Sequence, residues 1–194
     1  MRTAAAVLSC FWLTLSAGPA GARETTMREA AKTFRMEGGA FSCELPAGWA
    51  VAPDVQRARK IQGVVARGPA TPGGAALLAV DFYERGNEEF ADAETFVERQ
   101  GEDPLQGISG DAAAKVERMR WKGRKARRVS RERVVSLEPK ALESKRVMRR
   151  EELVVWQHAR GIFVLPLSAP TAEFAARRAA FERLLETFAP FPRR

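Results

Sequence analysis

Two very short links join four strand-like stretches in pairs, residues 115–121 with 124–137 and residues 145–157 with 162–167. The links are Lys122-Gly123 and the residues around Arg160-Gly161. A link of this length turns the chain back beside itself, and it is far too short for the crossover that parallel strands need. The four stretches therefore predict two antiparallel hairpins. Pro166 is expected at the end of its strand, where a lost backbone hydrogen bond is tolerated.

The first half of the chain predicts further strands by the same reasoning. Apolar and polar residues alternate on both sides of Gly38-Gly39, which is typical of a hairpin. Strands at 61–66 and 75–83 are separated by the Gly- and Pro-rich residues 68–74, which cannot form regular structure. Residues 75–80 have no polar face, so this strand is expected to be covered on both sides.

Two stretches have the period of a helix. Between residues 88 and 100 the apolar side chains fall on one side, and Gly101 follows. Near the end of the chain Phe174, Phe181 and Phe188 recur every seven residues. This second helix, preceded by Pro170 and ended by Pro190, is expected to lie across one face of the sheet.

Three segments together resemble the PsbP-like fold: the strand and turn at 41–49, which end in Pro46-Ala47-Gly48-Trp49; the last hairpin at 161–165; and Ser168-Ala169-Pro170 leading into the terminal helix. The resemblance covers about residues 33 to 190. It implies an α+β fold, with helices flanking an antiparallel β-sheet in an α/β/α sandwich. Proteins that share this fold include an extrinsic photosystem subunit, a nuclear-transport accessory protein and exported bacterial proteins, so the resemblance implies a non-enzymatic binding module. No functional residue of the family matches a position here.

The chain begins like an exported protein. Arg2 precedes a 14-residue apolar run, and Ala20-Gly21-Ala22 forms a small-x-small cleavage site. We therefore expect a signal peptide at residues 1–22, a leader segment at 23–32 and one domain at 33–190, in a periplasmic or secreted protein. The run is too short to favour a membrane anchor. A lipoprotein tether through Cys10 is the alternative, although the apolar run continues beyond that cysteine.

The residue inventory gives no support for catalysis. Cleavage after Ala22 leaves Cys43 alone, inside an apolar strand, where a free cysteine acts as a small apolar residue. His158, the single histidine, falls beside a turn, where an exposed imidazole without a role is the default expectation. No spacing typical of a metal site or a phosphate-binding loop is present, so neither a metal nor another cofactor is predicted. The alternative is an extracytoplasmic hydrolase whose site the sequence does not reveal.

Positive charge is concentrated in one stretch. Between Ala114 and Glu152 the chain has 15 Lys and Arg against 6 Glu, within a formal net charge of +8. The predicted partner-binding residues are the nine cations of this stretch's centre, Arg118, Arg120, Lys122, Arg124, Lys125, Arg127, Arg128, Arg131 and Arg133. Like charges facing each other across strands repel, so the arrangement does not serve stability.

Such a cluster attracts anions. The expected partner is an envelope protein or an anionic lipid or polysaccharide, and export makes nucleic acid a poor candidate. The competing interpretation is a solvated sheet face in a protein rich in arginine, partly offset by Glu117, Glu132, Glu151 and Glu152.

Overall fold

The computed structural model describes residues 31–101, 114–137 and 145–192. The predicted signal peptide and Cys10 lie outside these residues, and the last two residues of the predicted leader belong to the first strand. The strands are β1 (Ala31–Arg35), β2 (Phe41–Pro46), β3 (Ala50–Gln56), β4 (Ile61–Arg67), β5 (Leu77–Glu84), β6 (Lys115–Trp121), β7 (Arg124–Ser136), β8 (Arg146–His158), β9 (Gly161–Pro170) and β10 (Ala189–Pro190). The helices are α1 (Ala93–Gly101) and α2 (Phe174–Thr187). In the described part of the chain, neither helix is long and apolar enough to cross a membrane.

The strands form two antiparallel sheets. The larger has the order β3-β4-β5-β9-β8-β7-β6, and the smaller has the order β1-β2-β10. The two predicted hairpins are confirmed, since Trp121 pairs with Arg124 beside one link and His158 pairs with Gly161 beside the other. The large sheet therefore ends on one side at β3 and on the other at β6.

Side chains alternate across the large sheet and create two cores. On β8, Val154 and Trp156 point into a cluster shared with α2 and the small sheet. Leu153 and Val155 point the other way, into a cluster shared with α1. We call these two sides the α2 face and the α1 face. The helices thus flank the sheet on opposite sides, as the predicted α/β/α sandwich requires.

Strand β3 was not predicted. Pro53 interrupts its sequence, and proline is avoided in strands that donate hydrogen bonds on both sides. The structure places this strand at an edge, where it pairs only with β4 among the described strands. Six of its seven residues are exposed, so the alternation of apolar and polar residues that marks a buried strand is absent.

Pro166 lies in the middle of β9, and its predicted place at a strand end is wrong. On one side β9 pairs continuously with β8, with Leu153 opposite Pro166. On the other side the pairing with β5 is interrupted between Leu78–Leu167 and Asp81–Val164. Because proline has no backbone N–H, it cannot donate a hydrogen bond to a neighbouring strand. The gap in the pairing with β5 accommodates this loss, so Pro166 can lie within a central strand.

Helix α1 begins at Ala93, five residues later than predicted. The preceding residues are held in a loop by Asn87, whose side-chain oxygen accepts hydrogen bonds from the backbone N–H groups of Glu89 and Phe90. Asp92 then accepts one from the N–H of Thr95 at 2.8 Å, as a residue that caps a helix does. Side-chain bonds to the backbone therefore set the start of this helix.

Candidate functional site

The hairpin of β6 and β7, here called the basic hairpin, carries eight of the nine predicted cations on its strands and Lys122 in its turn. Residues paired across antiparallel strands share a face. Arg127 is opposite Val155, which belongs to the α1-side core, and Arg118 is opposite Arg127. Alternation therefore places Arg124 and Arg128 on the α2 face. The other six strand cations lie on the α1 face: Arg118, Arg120, Lys125, Arg127, Arg131 and Arg133.

Four of these six line one open cleft of about 520 Å³, together with Met119. Arg118 faces Arg127 across the hairpin, and Arg120 faces Lys125. The four cations, which we call the cleft cations, therefore form two adjacent like-charge pairs on one surface. Each such pair costs a few tenths to about 1 kcal/mol of stability, so the arrangement does not stabilise the hairpin.

The cleft cations are only partly neutralised. Arg127 forms an ion pair with Glu94 of helix α1. Arg120 Nη1 donates a hydrogen bond to the backbone oxygen of Gly123 at 3.3 Å, and the part of the chain that the structure describes places no carboxylate within 4.0 Å of its guanidinium. Arg118 and Lys125 are exposed, and no carboxylate of the described residues lies within 4.0 Å of either. Among the described residues, Arg118 and Lys125 thus have no neutralising partner.

Several other predicted cations are occupied by contacts within the protein. Lys122 Nζ donates to the backbone oxygens of Glu186 and Phe188 at 2.9 and 2.6 Å, at the end of α2, where a cation is favourable. Arg124 lies over the ring of Trp156, 5.3 Å from its centroid. These two residues therefore join the basic hairpin to the rest of the molecule.

Arg128 and Arg131 form ion pairs with Glu152 and Glu151, two of the glutamates expected to offset the charge of this stretch. Arg128 Nε lies 3.1 Å from Glu152, whose residue is only 2% exposed. Arg131 Nε donates to Glu151 at 2.7 Å, and its Nη1 donates to the backbone oxygen of Gln100 at the end of α1. Glu152 shares the α2 face with the buried residues Val154 and Trp156. The alternation of side chains along β8 therefore could have predicted from the sequence that Glu152 is buried.

Cys43 is buried, and burial raises the pKa of its thiol to about 12. At neutral pH the thiol therefore stays protonated, and the thiolate that a nucleophile needs is not formed. Its position in β2, within the α2-side core, matches the expected role as a small apolar residue.

His158 is half-buried, so the expectation of an exposed imidazole is wrong. Its ring lies 5.3 Å from that of Trp156 and 5.0 Å from that of Phe191, and Nδ1 accepts a hydrogen bond from the N–H of Arg160. Burial lowers the pKa of His158, and the charges of Arg124 and Arg160 lower it further. Within the described ranges no carboxylate or hydroxyl hydrogen-bonds to this ring, so the nucleophile and base of an acyl-transfer site are not assembled around it.

A second titratable group lies away from the cleft, on β5. Asp81 faces Gly63, where a side chain would collide with the Asp81 carboxylate, and Asp54 follows on β3 in the same cross-strand row. Burial and the charge of Asp54 raise the pKa of Asp81 to about 7. Because the folded protein keeps this proton at pH values where the unfolded chain has lost it, Asp81 lowers the free energy of unfolding as pH rises from about 4 to about 7.

Asp81→Asn is therefore expected to raise the free energy of unfolding at pH 8 by about 1–3 kcal/mol, with the gain disappearing towards pH 4. Urea denaturation of both proteins at pH 4, 6 and 8 measures this difference. Asp54→Asn, at an exposed carboxylate, is the control and should change stability less. A difference between wild type and Asp81→Asn that is the same at all three pH values would contradict the assignment.

No family model matches the chain, and no curated protein matches it. Solved structures do match. The cyanobacterial PsbP protein CyanoP from Synechocystis sp. PCC 6803 superposes with a TM-score of 0.54, at 14% sequence identity, over 90% of this chain and 100% of that one. The Ran-binding protein Mog1p from Saccharomyces cerevisiae gives 0.49, at 13% identity, over 84% of this chain and 96% of that one. LpqN, which is involved in cell envelope biogenesis of Mycobacterium tuberculosis, gives 0.44, at 16% identity, over 84% and 91%. At such identities a match shows the fold, and the predicted PsbP-like fold is confirmed by CyanoP.

Proposed function

We propose that this chain, which has the PsbP-like fold, is a non-catalytic binding protein that holds an anionic partner in the cleft of the basic hairpin. The observation that carries the proposal is that like-charged residues lie opposite each other in the register of the hairpin, Arg118 with Arg127 and Arg120 with Lys125. An anion placed between such cations removes their repulsion and gains attraction to both. The free energy that the fold loses by this arrangement is recovered on binding.

The shape of the site supports an inserted group rather than a flat contact. A cleft of about 520 Å³ falls within the range of roughly 300–1,000 Å³ typical of ligand sites. Its walls are the long stems of arginine and lysine, whose charged ends remain near water. Carboxylates or phosphates that protrude from a partner can therefore reach the cations from the open side.

The place of action that we propose is the cell envelope, outside the cytoplasm. It rests on the predicted signal peptide at residues 1–22. In that compartment, carboxylate-bearing proteins and polysaccharides and anionic lipids are available as partners. The proposed contact surface and the proposed compartment therefore rest on separate observations.

The test removes three charges from the cleft. Arg118, Arg120 and Lys125 are all changed to Gln, and binding to fluorescently labelled poly-L-glutamate is followed by anisotropy in 0.05 M salt. Affinity should fall about tenfold, because three exposed charge contacts of a few tenths to 1 kcal/mol each sum to roughly 1.4 kcal/mol. The free energy of unfolding should stay the same or rise slightly, since repulsion across the hairpin is relieved.

The matched control removes three exposed cations elsewhere, with Lys32, Arg35 and Arg85 changed to Gln. Both variants have the same net charge, so a general effect of charge would weaken both equally. Binding of the wild type should also weaken between 0.05 and 0.5 M salt, as screening shortens the range of the attraction. Equal binding by the two variants, or no binding by the wild type at low salt, would refute the proposal.

A further inference from the structure

Strand β6 is one end of the large sheet. It pairs with β7 along all seven of its residues, and no other strand in the described ranges pairs with its second edge. Such an edge presents unpaired backbone N–H and C=O groups over about 20 Å and is a template for another extended chain. Two of the four cleft cations, Arg118 and Arg120, belong to β6 itself and so lie beside this edge.

The two edges of the sheet differ in how they exclude strand pairing. Strand β3 contains Pro53 at its centre, and a proline on an edge strand blocks the regular hydrogen bonds of an added strand. Strand β6 has no proline and instead carries cations at Lys115, Arg118 and Arg120. Positive charge repels a second copy of the same strand, but it attracts an acidic one. The charge of β6 therefore selects among partners without closing its edge.

On β6, the side chains of the α1 face belong to Val116, Arg118 and Arg120, each two residues from the next. In an added strand, side chains on the same face also recur every second residue, about 4.5–5.5 Å from their cross-strand neighbours. Val116 is 44% exposed and would be covered by an apolar side chain of such a strand. Acidic side chains opposite Arg118 and Arg120 would enter the cleft and neutralise its like-charge pairs.

We infer that the anionic partner is an extended peptide segment that adds to the free edge of β6 as an eighth strand. On the α1 face, this segment carries one apolar residue and two acidic residues at alternate positions. This inference rests on the proposed function and specifies the partner for the same cleft. Backbone hydrogen bonds to β6 provide affinity, and the spacing of the acids provides specificity, as in other cases of strand addition.

The experiment uses the full mature chain and a synthetic nine-residue peptide. The peptide has valine at positions 3 and 9, glutamate at positions 5 and 7 and threonine elsewhere, so that in either strand direction one valine lies opposite Val116 and both glutamates lie opposite Arg118 and Arg120. A second peptide has the same composition with its glutamates adjacent. Two further peptides are N-methylated on alternate residues, one on the odd-numbered backbone nitrogens and the other on the even-numbered ones. Binding is measured by isothermal titration calorimetry in 0.05 M salt.

The alternating peptide should bind at least about tenfold more tightly than the peptide with adjacent glutamates. One N-methylated peptide should lose about tenfold or more in affinity, because several hydrogen bonds to β6 are removed, and the other should bind like the parent. Reversing charge by Arg118→Glu and Arg120→Glu should abolish binding of the glutamate peptide and create binding of a peptide with lysines at positions 5 and 7. The lysine peptide also reports that the variant is folded.

Each contrary result has its own meaning. If the peptides bind with no dependence on N-methylation or glutamate spacing, the strand model is overturned, whereas the anion-binding function stands. If vesicles containing anionic phospholipid bind and the peptides do not, the cleft serves lipid headgroups and the peptide inference is overturned. If neither the peptides nor poly-L-glutamate bind at low salt, the inference and the proposed function both fail.

Discussion

Phe163→Ala is expected to lower the free energy of unfolding by about 3–5 kcal/mol, one of the two largest effects predicted for a single substitution in this protein. The Phe163 side chain is fully buried and stacks on Phe82 of β5 at 4.5 Å. It also contacts Phe188, which follows α2, and Phe41 of the small sheet. Removing this ring leaves a cavity at the point where both sheets and α2 meet.

Urea denaturation monitored by tryptophan fluorescence measures this effect. Phe34→Ala is the matched control, because Phe34 lies in β1, is only partly buried and packs at the margin of the same core. Its cost should be clearly smaller. If the two substitutions cost the same, burial at the junction of the sheets does not determine the stability of this fold.

Gly161→Ala is expected to cost about 3–5 kcal/mol for a different reason. Gly161 has φ of +151°, and an added Cβ would lie 2.0 Å from the backbone oxygen of Tyr83. Backbone strain and overpacking each contribute about 1–3 kcal/mol, and here both apply. Since the contacting atom belongs to the backbone of β5, no side-chain rotation can relieve the clash.

The other hairpin turn provides the control. Gly123 also has a positive φ, of +75°, but no atom lies within 4 Å of the position of an added Cβ. Gly123→Ala should therefore cost only the strain of the left-handed conformation, about 1–2 kcal/mol. Chemical denaturation of both variants checks the ranking. A larger loss for Gly123→Ala than for Gly161→Ala would contradict the role assigned to the close contact with Tyr83.

The parts of the fold that the sequence predicts are those determined by local pattern. The links Lys122-Gly123 and Arg160-Gly161 each define a hairpin, and the recurrence of Phe174, Phe181 and Phe188 defines the face that α2 buries. Strand β3 was missed because Pro53 removes the local signal and only its place at the sheet edge makes a strand possible. Local pattern does not carry that information.

The candidate site also has a part that the sequence predicts and a part that it does not. The sequence locates the positive charge in the basic hairpin, but it cannot say which cations are neutralised. The partner of Lys122 is the end of α2, 64 and 66 residues away in the chain. The partner of Arg131 is Glu151, on the neighbouring strand. The packing of α2 and the register between strands distinguish these two residues from Arg118 and Lys125, which have no carboxylate partner among the described residues.

The gap beside Pro166 divides the large sheet into two panels, β3-β4-β5 and β9-β8-β7-β6, each with continuous pairing inside it. Their seam is joined by backbone pairing at both ends and by the buried side chains of Val80 and Leu165 in between. The basic hairpin belongs to the second panel, and both helices pack against strands of this panel. Three continuous strand pairs, β6 with β7, β7 with β8 and β8 with β9, separate the basic hairpin from this seam. A substitution that disturbs the register of β6 therefore has three uninterrupted ladders to disrupt before it affects the pairing beside Pro166.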